Sequence, residues 1–174
     1  MQQSRLQPQS LGLSPRPDAV FELAGHEQTQ ALGHALGLSL KVGDFLGLVG
    51  GLGAGKTTLV QGLVGALDEK AEATSPSYAL VNLYELEPPV LHMDLYRLEG
   101  VDDLESTGYW DYVDAGDRIM CVEWLDRIPQ AWPGAGLLIE LSVATEGRRA
   151  SVWASPGYAG LVEQLQERFA AASL

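Results

Sequence analysis

The feature that most constrains the fold is the glycine-rich stretch Gly50–Thr57, which reads GGLGAGKT. It matches G-x-x-x-x-G-K-[ST], the phosphate-binding loop of nucleoside triphosphatases. Four glycines within six positions permit positive φ angles, so that successive N–H groups can point at one anion. The motif predicts that Lys56 reaches the β- and γ-phosphates and that Thr57 completes the coordination of Mg²⁺.

The residues on either side of this loop supply the context that the motif requires. The apolar run 45–49 before it is typical of a buried parallel strand. After it, Leu59, Leu63 and Leu67 recur every four residues, which predicts a helix that begins near Lys56. The positive end of that helix would face the phosphates. We therefore predict an α/β fold: one P-loop NTPase-like domain with a mixed β-sheet and flanking helices.

Length and composition bound the rest of the chain. The 174 residues fit one domain, which we assign to residues 19–174, and the proline-bearing segment 1–18 is predicted to be a disordered arm. Apolar runs are too short to span a membrane, and one cysteine and three histidines argue against a disulfide or a structural zinc site. A cytoplasmic protein without a membrane partner is expected.

The net charge of −12 disfavours direct binding to nucleic acid, because such a surface repels the phosphate backbone. It also means that loop amides, Lys56 and Mg²⁺ must hold an anionic nucleotide against the field of the protein itself.

Other predicted elements are a short edge strand at 20–23, a helix at 26–38, a strand at 78–86 paired with one at 90–94, a short helix at 101–107, a closing hairpin of 137–144 with 150–154, and an amphipathic last helix.

Two predicted strands end in an acidic residue. Asp94 follows four apolar or aromatic residues, and Glu123 follows another such run that is predicted to lie parallel to the strand before the loop. Glu123 is interpreted as a Mg²⁺-directed carboxylate, with a rim glutamate as the alternative. For Asp94, a metal-directed carboxylate and a cap for the following turn both remain open.

A hydroxyl-bearing turn, 74–78, follows the predicted phosphate-loop helix. Ser77 could face a γ-phosphate, as a hydroxyl residue does in switch-type triphosphatases, or it could belong to an ordinary Ser-Pro turn that leads into a strand. The guanine-specifying N-K-x-D pattern is absent, which favours ATP. A small-molecule kinase shares the loop, but few arginines stand where a lid would need them.

Taken together, these motifs resemble the TsaE (YjeE) family, the bacterial ATPases of tRNA threonylcarbamoyladenosine synthesis. The resemblance rests on GxLGAGKTTL, on Ser75-Pro76-Ser77-Tyr78, on the string HMDLYRL at 92–98 and on Val122-Glu123-Trp124, all in matching order and spacing. It covers residues from about 21 to 154.

The resemblance implies a switch that binds ATP and Mg²⁺ and hydrolyses ATP when docked on the TsaB–TsaD complex. That complex transfers threonylcarbamoyl to A37 of tRNAs that read ANN codons, and hydrolysis resets it, so tRNA is met only through the complex. Lys56, Asp94 and Glu123 would be catalytic, and Thr57 and Glu123 would bind the metal. Nucleotide-binding positions implied by the family are Gly51, Leu52, Gly53, Ala54, Gly55, Lys56, Thr57, Thr58 and Ser77, with His26 and Gly147 beside the adenine.

This chain departs from the family pattern at two positions. Gly51 stands where the family usually has Asp, which removes a carboxylate near the phosphates, and Ser77 stands where Thr is usual. A kinase and an ATP-binding regulatory module without turnover are the alternatives.

Overall fold

The computed structural model describes residues 6–172, which form an α/β fold around one mixed sheet. Within these residues the strands are β1 (Ala19–Leu23), β2 (Phe45–Gly50), β3 (Val81–Tyr84), β4 (Val90–Asp94), β5 (Ile119–Glu123), β6 (Leu137–Val143) and β7 (Arg148–Ala154). The α-helices are α1 (His26–Gly37), α2 (Lys56–Leu67), α3 (Val101–Ser106), α4 (Tyr109–Ala115) and α5 (Ala159–Ala172). The predicted fold class is confirmed.

The strand order is β1-β7-β6-β2-β5-β4-β3, and the four middle strands β6, β2, β5 and β4 are parallel. The outer pairs are antiparallel. Both faces of the sheet are covered: α1, α2 and α5 pack on one, and α3 and α4 pack on the other. Burial on both faces explains why β2, β4 and β5 are apolar along most of their length.

The register of the parallel strands decides which residues meet at the carboxyl edge of the sheet. Leu48 on β2 pairs with Glu123 on β5, and Glu123 pairs with Asp94 on β4. The expectation that the strand of Glu123 lies parallel to the strand before the glycine-rich loop is therefore confirmed. Ligands of open α/β sheets commonly bind at this edge.

Helices α1 and α2 pack backbone against backbone, because glycines occupy their contact. A Cβ atom on Gly33 would lie 2.0 Å from the carbonyl oxygen of Leu59, and one on Gly62 would lie 2.1 Å from that of Gln30. No side chain larger than hydrogen fits there without separating the helices. This contact fixes the helix after the glycine-rich loop against the helix that begins at His26.

Several boundaries differ from the prediction. The strand expected over 78–86 is limited to β3, and residues 76–80 form a turn in which the Leu80 N–H donates to the Pro76 carbonyl. Helix α4 has no counterpart in the prediction, because its single buried residue, Tyr109, leaves no apolar period to detect. Among the described residues, no helix combines the length and the apolar character needed to cross a bilayer.

The segment 6–18 differs from the disordered arm expected over 1–18, of which residues 1–5 lie outside the described residues. It contains a 3₁₀ turn, Pro8–Leu11, and Leu13 is buried in the face of the core that holds α3 and α4. The Asp18 N–H donates to the Val152 carbonyl at 2.8 Å, and the Asp18 carboxylate accepts the Ala154 N–H at 2.8 Å. Leu6 and Leu11 pack against the same face of the core, so apolar contacts place this segment on the domain.

The helix contact predicts that Gly62→Ala destabilises the protein. The added methyl group would overlap the Gln30 carbonyl, and overpacking of this kind costs about 1–3 kcal/mol. Urea unfolding followed by circular dichroism measures the loss.

Gly65→Ala is the matched control, since Gly65 lies on the same helix and a Cβ there would meet nothing within 4 Å. That variant should gain up to about 1 kcal/mol from helix propensity. Equal unfolding midpoints for the two variants would contradict the packing argument.

Candidate nucleotide-binding site

Residues 50–57 form a tight loop between the end of β2 and the start of α2. Gly53 has φ of 75° and Gly55 has φ of 110°, left-handed values that residues with a Cβ rarely adopt. The first backbone bond of α2 runs from the Leu59 N–H to the Gly55 carbonyl, so the N–H groups of residues 56–58 precede it and have no acceptor within the helix. Free amides at a helix amino terminus favour binding of an anion.

Lys56 is the first residue of α2, and its side chain is only 4% exposed. Its Nζ donates to the carbonyl oxygens of Gly50 at 2.7 Å and Gly51 at 2.9 Å. It also lies 3.9 Å from the centre of the Trp124 ring, in a cation–π contact. Burial lowers the pKa of Lys56, and nearby carboxylates, chiefly Glu123, oppose that effect. An incoming anion would stabilise the charged form further.

The Glu123 carboxylate links two other side chains through one oxygen. Its Oε1 accepts the Thr57 hydroxyl at 2.9 Å and lies 2.7 Å from Nε2 of His92. Glu123 is 2% exposed. Because the Thr57 hydroxyl donates its proton to Glu123, the lone pairs of its oxygen remain for a cation.

Asp94 is 3% exposed and lies on β4. This strand flanks β5, the strand of Glu123, on the side away from β2. Its Oδ2 accepts the Ser77 hydroxyl at 2.9 Å, and its Oδ1 accepts the Tyr96 N–H at 2.8 Å. The Ser77 and Ser75 hydroxyls are 2.6 Å apart. Asp94 thus caps the turn that follows β4, one of its two expected roles, and it also faces the cleft.

Nine of the predicted site residues line one cleft of about 190 Å³. They are Leu52, Gly53, Gly55, Lys56, Thr57, Thr58, Ser77, Asp94 and Glu123. Ser75 and Trp124 complete the lining. Gly51 and Ala54 belong to the loop but do not line this cleft.

His26 and Gly147 do not line the cleft either, although their segments approach the loop. His26 is the exposed first residue of α1, whose Thr29 methyl would lie 3.3 Å from a Cβ on Gly55. Gly147 precedes Arg148, whose Nη2 donates to the Gly53 carbonyl at 3.2 Å. The assignment of His26 and Gly147 to adenine remains a prediction.

The prediction omitted two features of the site. His92 contacts Glu123. The sequence signals this histidine by its place at the start of the string HMDLYRL and by its position two residues before Asp94, which places both side chains on the same face of β4. Trp124 has φ of 58°, a left-handed conformation that is strained for a residue with a side chain. Its ring packs over Lys56.

The oxygen donors at the cleft suit a hard cation such as Mg²⁺. The described residues contain no group of three or more His, Cys, Asp or Glu side chains arranged to hold a metal. Mg²⁺ usually takes one or two protein ligands and obtains the rest from phosphates and water. The adjacent Thr57 hydroxyl and Glu123 carboxylate fit that pattern.

Comparison with known proteins gives a consistent family match. Residues 23–151 match the family described as "Threonylcarbamoyl adenosine biosynthesis protein TsaE". A relative from Nostoc sp. is 40% identical over 130 residues, which cover 73% of this chain and 80% of the relative. A relative from Bacillus subtilis is 33% identical over 142 residues, which cover 80% and 88%. Both are named tRNA threonylcarbamoyladenosine biosynthesis protein TsaE.

The fold also resembles the crystal structure of Bacillus subtilis YdiB, with a TM-score of 0.70 and 28% sequence identity. The superposition covers 86% of this chain and 94% of that chain. The resemblance therefore includes nearly the whole of the solved protein.

The turn beside the loop predicts that Gly147→Ala destabilises the protein. Gly147 has φ of 80°, and a Cβ would lie 2.1 Å from the Leu23 carbonyl oxygen. We expect a loss of roughly 1–2 kcal/mol for the conformation and roughly 1–3 kcal/mol more for the overlap. Thermal or urea unfolding measures it.

Gly12→Ala serves as the control, because Gly12 has φ of 75° but a Cβ there would contact nothing within 4 Å. Gly12→Ala should show the conformational loss alone. If Gly147→Ala lowered the free energy of unfolding no more than this control did, the close approach to Leu23 would not restrict the turn.

Proposed function

Because the chain belongs to the TsaE family of threonylcarbamoyl adenosine biosynthesis proteins, we propose that it is an ATPase of tRNA threonylcarbamoyladenosine synthesis. It binds ATP and Mg²⁺ at the phosphate loop and hydrolyses ATP when docked on the TsaB–TsaD complex. The observation that carries this proposal is the pairing of half-buried Thr57 with buried Glu123, beside buried Lys56, at the free amino terminus of α2.

The triphosphate would be held by loop amides and Lys56. The main-chain N–H groups at the start of α2 donate to phosphate oxygens, and the Lys56 ammonium exchanges the carbonyls of Gly50 and Gly51 for phosphate. In the absence of a ligand, the hydrogen bonds to these two carbonyl oxygens pair the buried ammonium, which avoids the large cost of an unpaired buried charge. The loop is therefore preformed for an anion.

Thr57 and Glu123 would hold Mg²⁺ between them, directly or through water. When bound, Mg²⁺ neutralises phosphate charge and polarises the phosphate oxygens. Glu123 is already fixed by two hydrogen bonds to Oε1, and the Thr57 oxygen keeps its lone pairs. Neither side chain has to reorganise to meet a cation.

Asp94 would orient the attacking water. Each carboxylate oxygen has two acceptor sites, and the Ser77 hydroxyl and the Tyr96 N–H use one site on each. Asp94 can therefore accept a hydrogen bond from water in the cleft. In the reaction, the water oxygen bonds to the γ-phosphorus, the bond to the bridging oxygen breaks, and ADP and phosphate are released.

Slow turnover by the isolated protein follows from the charges at the site. Among the described residues that line the cleft, Lys56 is the one cation, so no arginine of this lining stabilises the charge of the transition state. At the rim of the cleft, Leu52 is 90% exposed and the neighbouring Tyr78 is 87% exposed, and both are available to a protein partner. The acidic surface fits a protein that leaves tRNA to that partner.

Phosphate release measured with and without TsaB–TsaD tests the function. We expect release to be slow for the isolated chain and several-fold faster with the complex. Absence of release under both conditions would indicate an ATP-binding module, and transfer of labelled γ-phosphate to a small acceptor without the complex would indicate a kinase.

Lys56→Ala should abolish phosphate release by the assembled complex, because the buried ammonium is lost from the phosphates. Lys70→Ala is the control, since Lys70 is exposed and its side chain is outside the cleft. Near-normal turnover by Lys56→Ala would count decisively against the assignment.

Glu123→Ala should weaken Mg²⁺-dependent nucleotide binding more than Asp94→Ala does, because Glu123 is paired with Thr57 whereas Asp94 is paired with Ser77. Isothermal titration with Mg²⁺ and with EDTA measures both effects. The opposite order would exchange the two roles.

A further inference from the structure

His92 is a completely buried polar residue beside the proposed metal site. Its side chain is 0% exposed, and its Nε2 lies 2.7 Å from Oε1 of Glu123. The carboxylate accepts hydrogen bonds, so Nε2 carries the proton of this bond. His92 and Glu123 lie on neighbouring parallel strands, β4 and β5, which fixes the distance between them.

A histidine at this position is unfavourable for the stability of the fold. Within the described residues, its other nitrogen, Nδ1, is buried and has no hydrogen-bond partner. A buried polar atom without a partner costs about 1–3 kcal/mol. Val90, two residues earlier on the same face of β4, is a fully buried hydrophobic residue, so an apolar side chain suits this side of the sheet.

The bond also decides which oxygen of Glu123 is available. Oε1 receives both the His92 and the Thr57 hydrogen bonds. Oε2 makes no hydrogen bond among residues 6–172, and Glu123 lines the cleft. Oε2 is therefore the oxygen that a cation or its bound water can use.

We propose that His92 is a positioning residue for Mg²⁺: it holds the Glu123 carboxylate with Oε1 turned inward and Oε2 left for the metal site. This inference rests on the proposed function, because it assigns a role within that same site. The Thr57 hydroxyl donates to the Glu123 carboxylate, so its lone pairs stay directed at a cation only while that carboxylate keeps its position. The imidazole of His92 holds the carboxylate independently of Thr57.

Removing a residue that hydrogen-bonds to a metal ligand typically lowers the metal affinity 10- to 100-fold. His92 should therefore influence how much Mg²⁺ is needed for nucleotide binding. It should have little influence on nucleotide binding without metal, which depends on the loop amides and Lys56. A purely structural role would weaken both equally.

The variants His92→Gln and His92→Asn separate the two roles. Both carry the same amide, but only the longer glutamine can place an N–H near the present position of Nε2. We would measure binding of AMP-PNP by the full-length protein across a Mg²⁺ series and in EDTA. Circular dichroism and thermal unfolding would check that each variant is folded.

We expect His92→Asn to raise the Mg²⁺ concentration for half-maximal binding about 10-fold or more, and His92→Gln to stay within roughly 3-fold of wild type. The affinity in EDTA should be the same for all three proteins. The inference is overturned if Asn and Gln behave alike, or if His92→Asn weakens binding equally in EDTA. Failure of the wild-type protein to bind AMP-PNP at all would instead overturn the proposed function.

A measurement on the wild-type protein keeps the test open if neither variant folds. In protein labelled with ¹⁵N-histidine, the His92 spectrum should show a protonated Nε2, and its signal should move when Mg²⁺ is added to the AMP-PNP complex. An unprotonated Nε2, or a signal that does not respond to Mg²⁺, would refute the positioning role.

Discussion

The site depends on three charged side chains that are almost completely buried at one edge of the sheet. Lys56, Asp94 and Glu123 are each at most 4% exposed. Removing a charge from water is expensive unless hydrogen bonds compensate for it, and here each group has at least two polar partners. In the low dielectric of this edge, electrostatic interactions of these three groups are stronger than they would be on the surface. The arrangement is therefore suited to charge stabilisation more than to covalent chemistry.

Regular hydrogen-bonded structure holds the residues of the cleft in place. Strands β2, β5 and β4 are hydrogen-bonded in parallel, so the separation of the loop, Glu123 and Asp94 is set by strand spacing. Behind the loop, the glycines of α1 and α2 bring the two helix backbones into contact, and any shift of α2 would have to displace α1. Preorganised groups of this kind stabilise charge without reorganisation during the reaction.

Parts of the site rest on less regular structure. Ser75 and Ser77 lie in a segment without helix or strand, and Ser77 reaches Asp94 only through its hydroxyl. Tyr78 and Leu52, both highly exposed, lie in that segment and in the loop. Contact with a partner at these residues would act directly on the hydroxyls and amides of the cleft, which would give the proposed partner-stimulated hydrolysis a physical route.

The sequence by itself determined the glycine-rich loop at 50–57, the strand before it, the helix after it and the acidic ends of two further strands. Each of these is a local pattern: glycines that permit positive φ angles, leucines at helical spacing, and apolar runs that end in a carboxylate. The resemblance to the TsaE family also follows from such strings, which stand in matching order and spacing along the chain.

Only the tertiary structure decided which side chains meet. The contact of His92 with Glu123 and the placement of Trp124 over Lys56 depend on strand register and on a left-handed backbone angle that no local pattern encodes. The placement of residues 6–18 likewise depends on contacts distant in sequence, since Leu13 packs in the core and Asp18 is hydrogen-bonded to β7. Propensity describes neighbours along the chain, whereas these interactions join residues that are far apart in sequence and become adjacent only when the sheet forms.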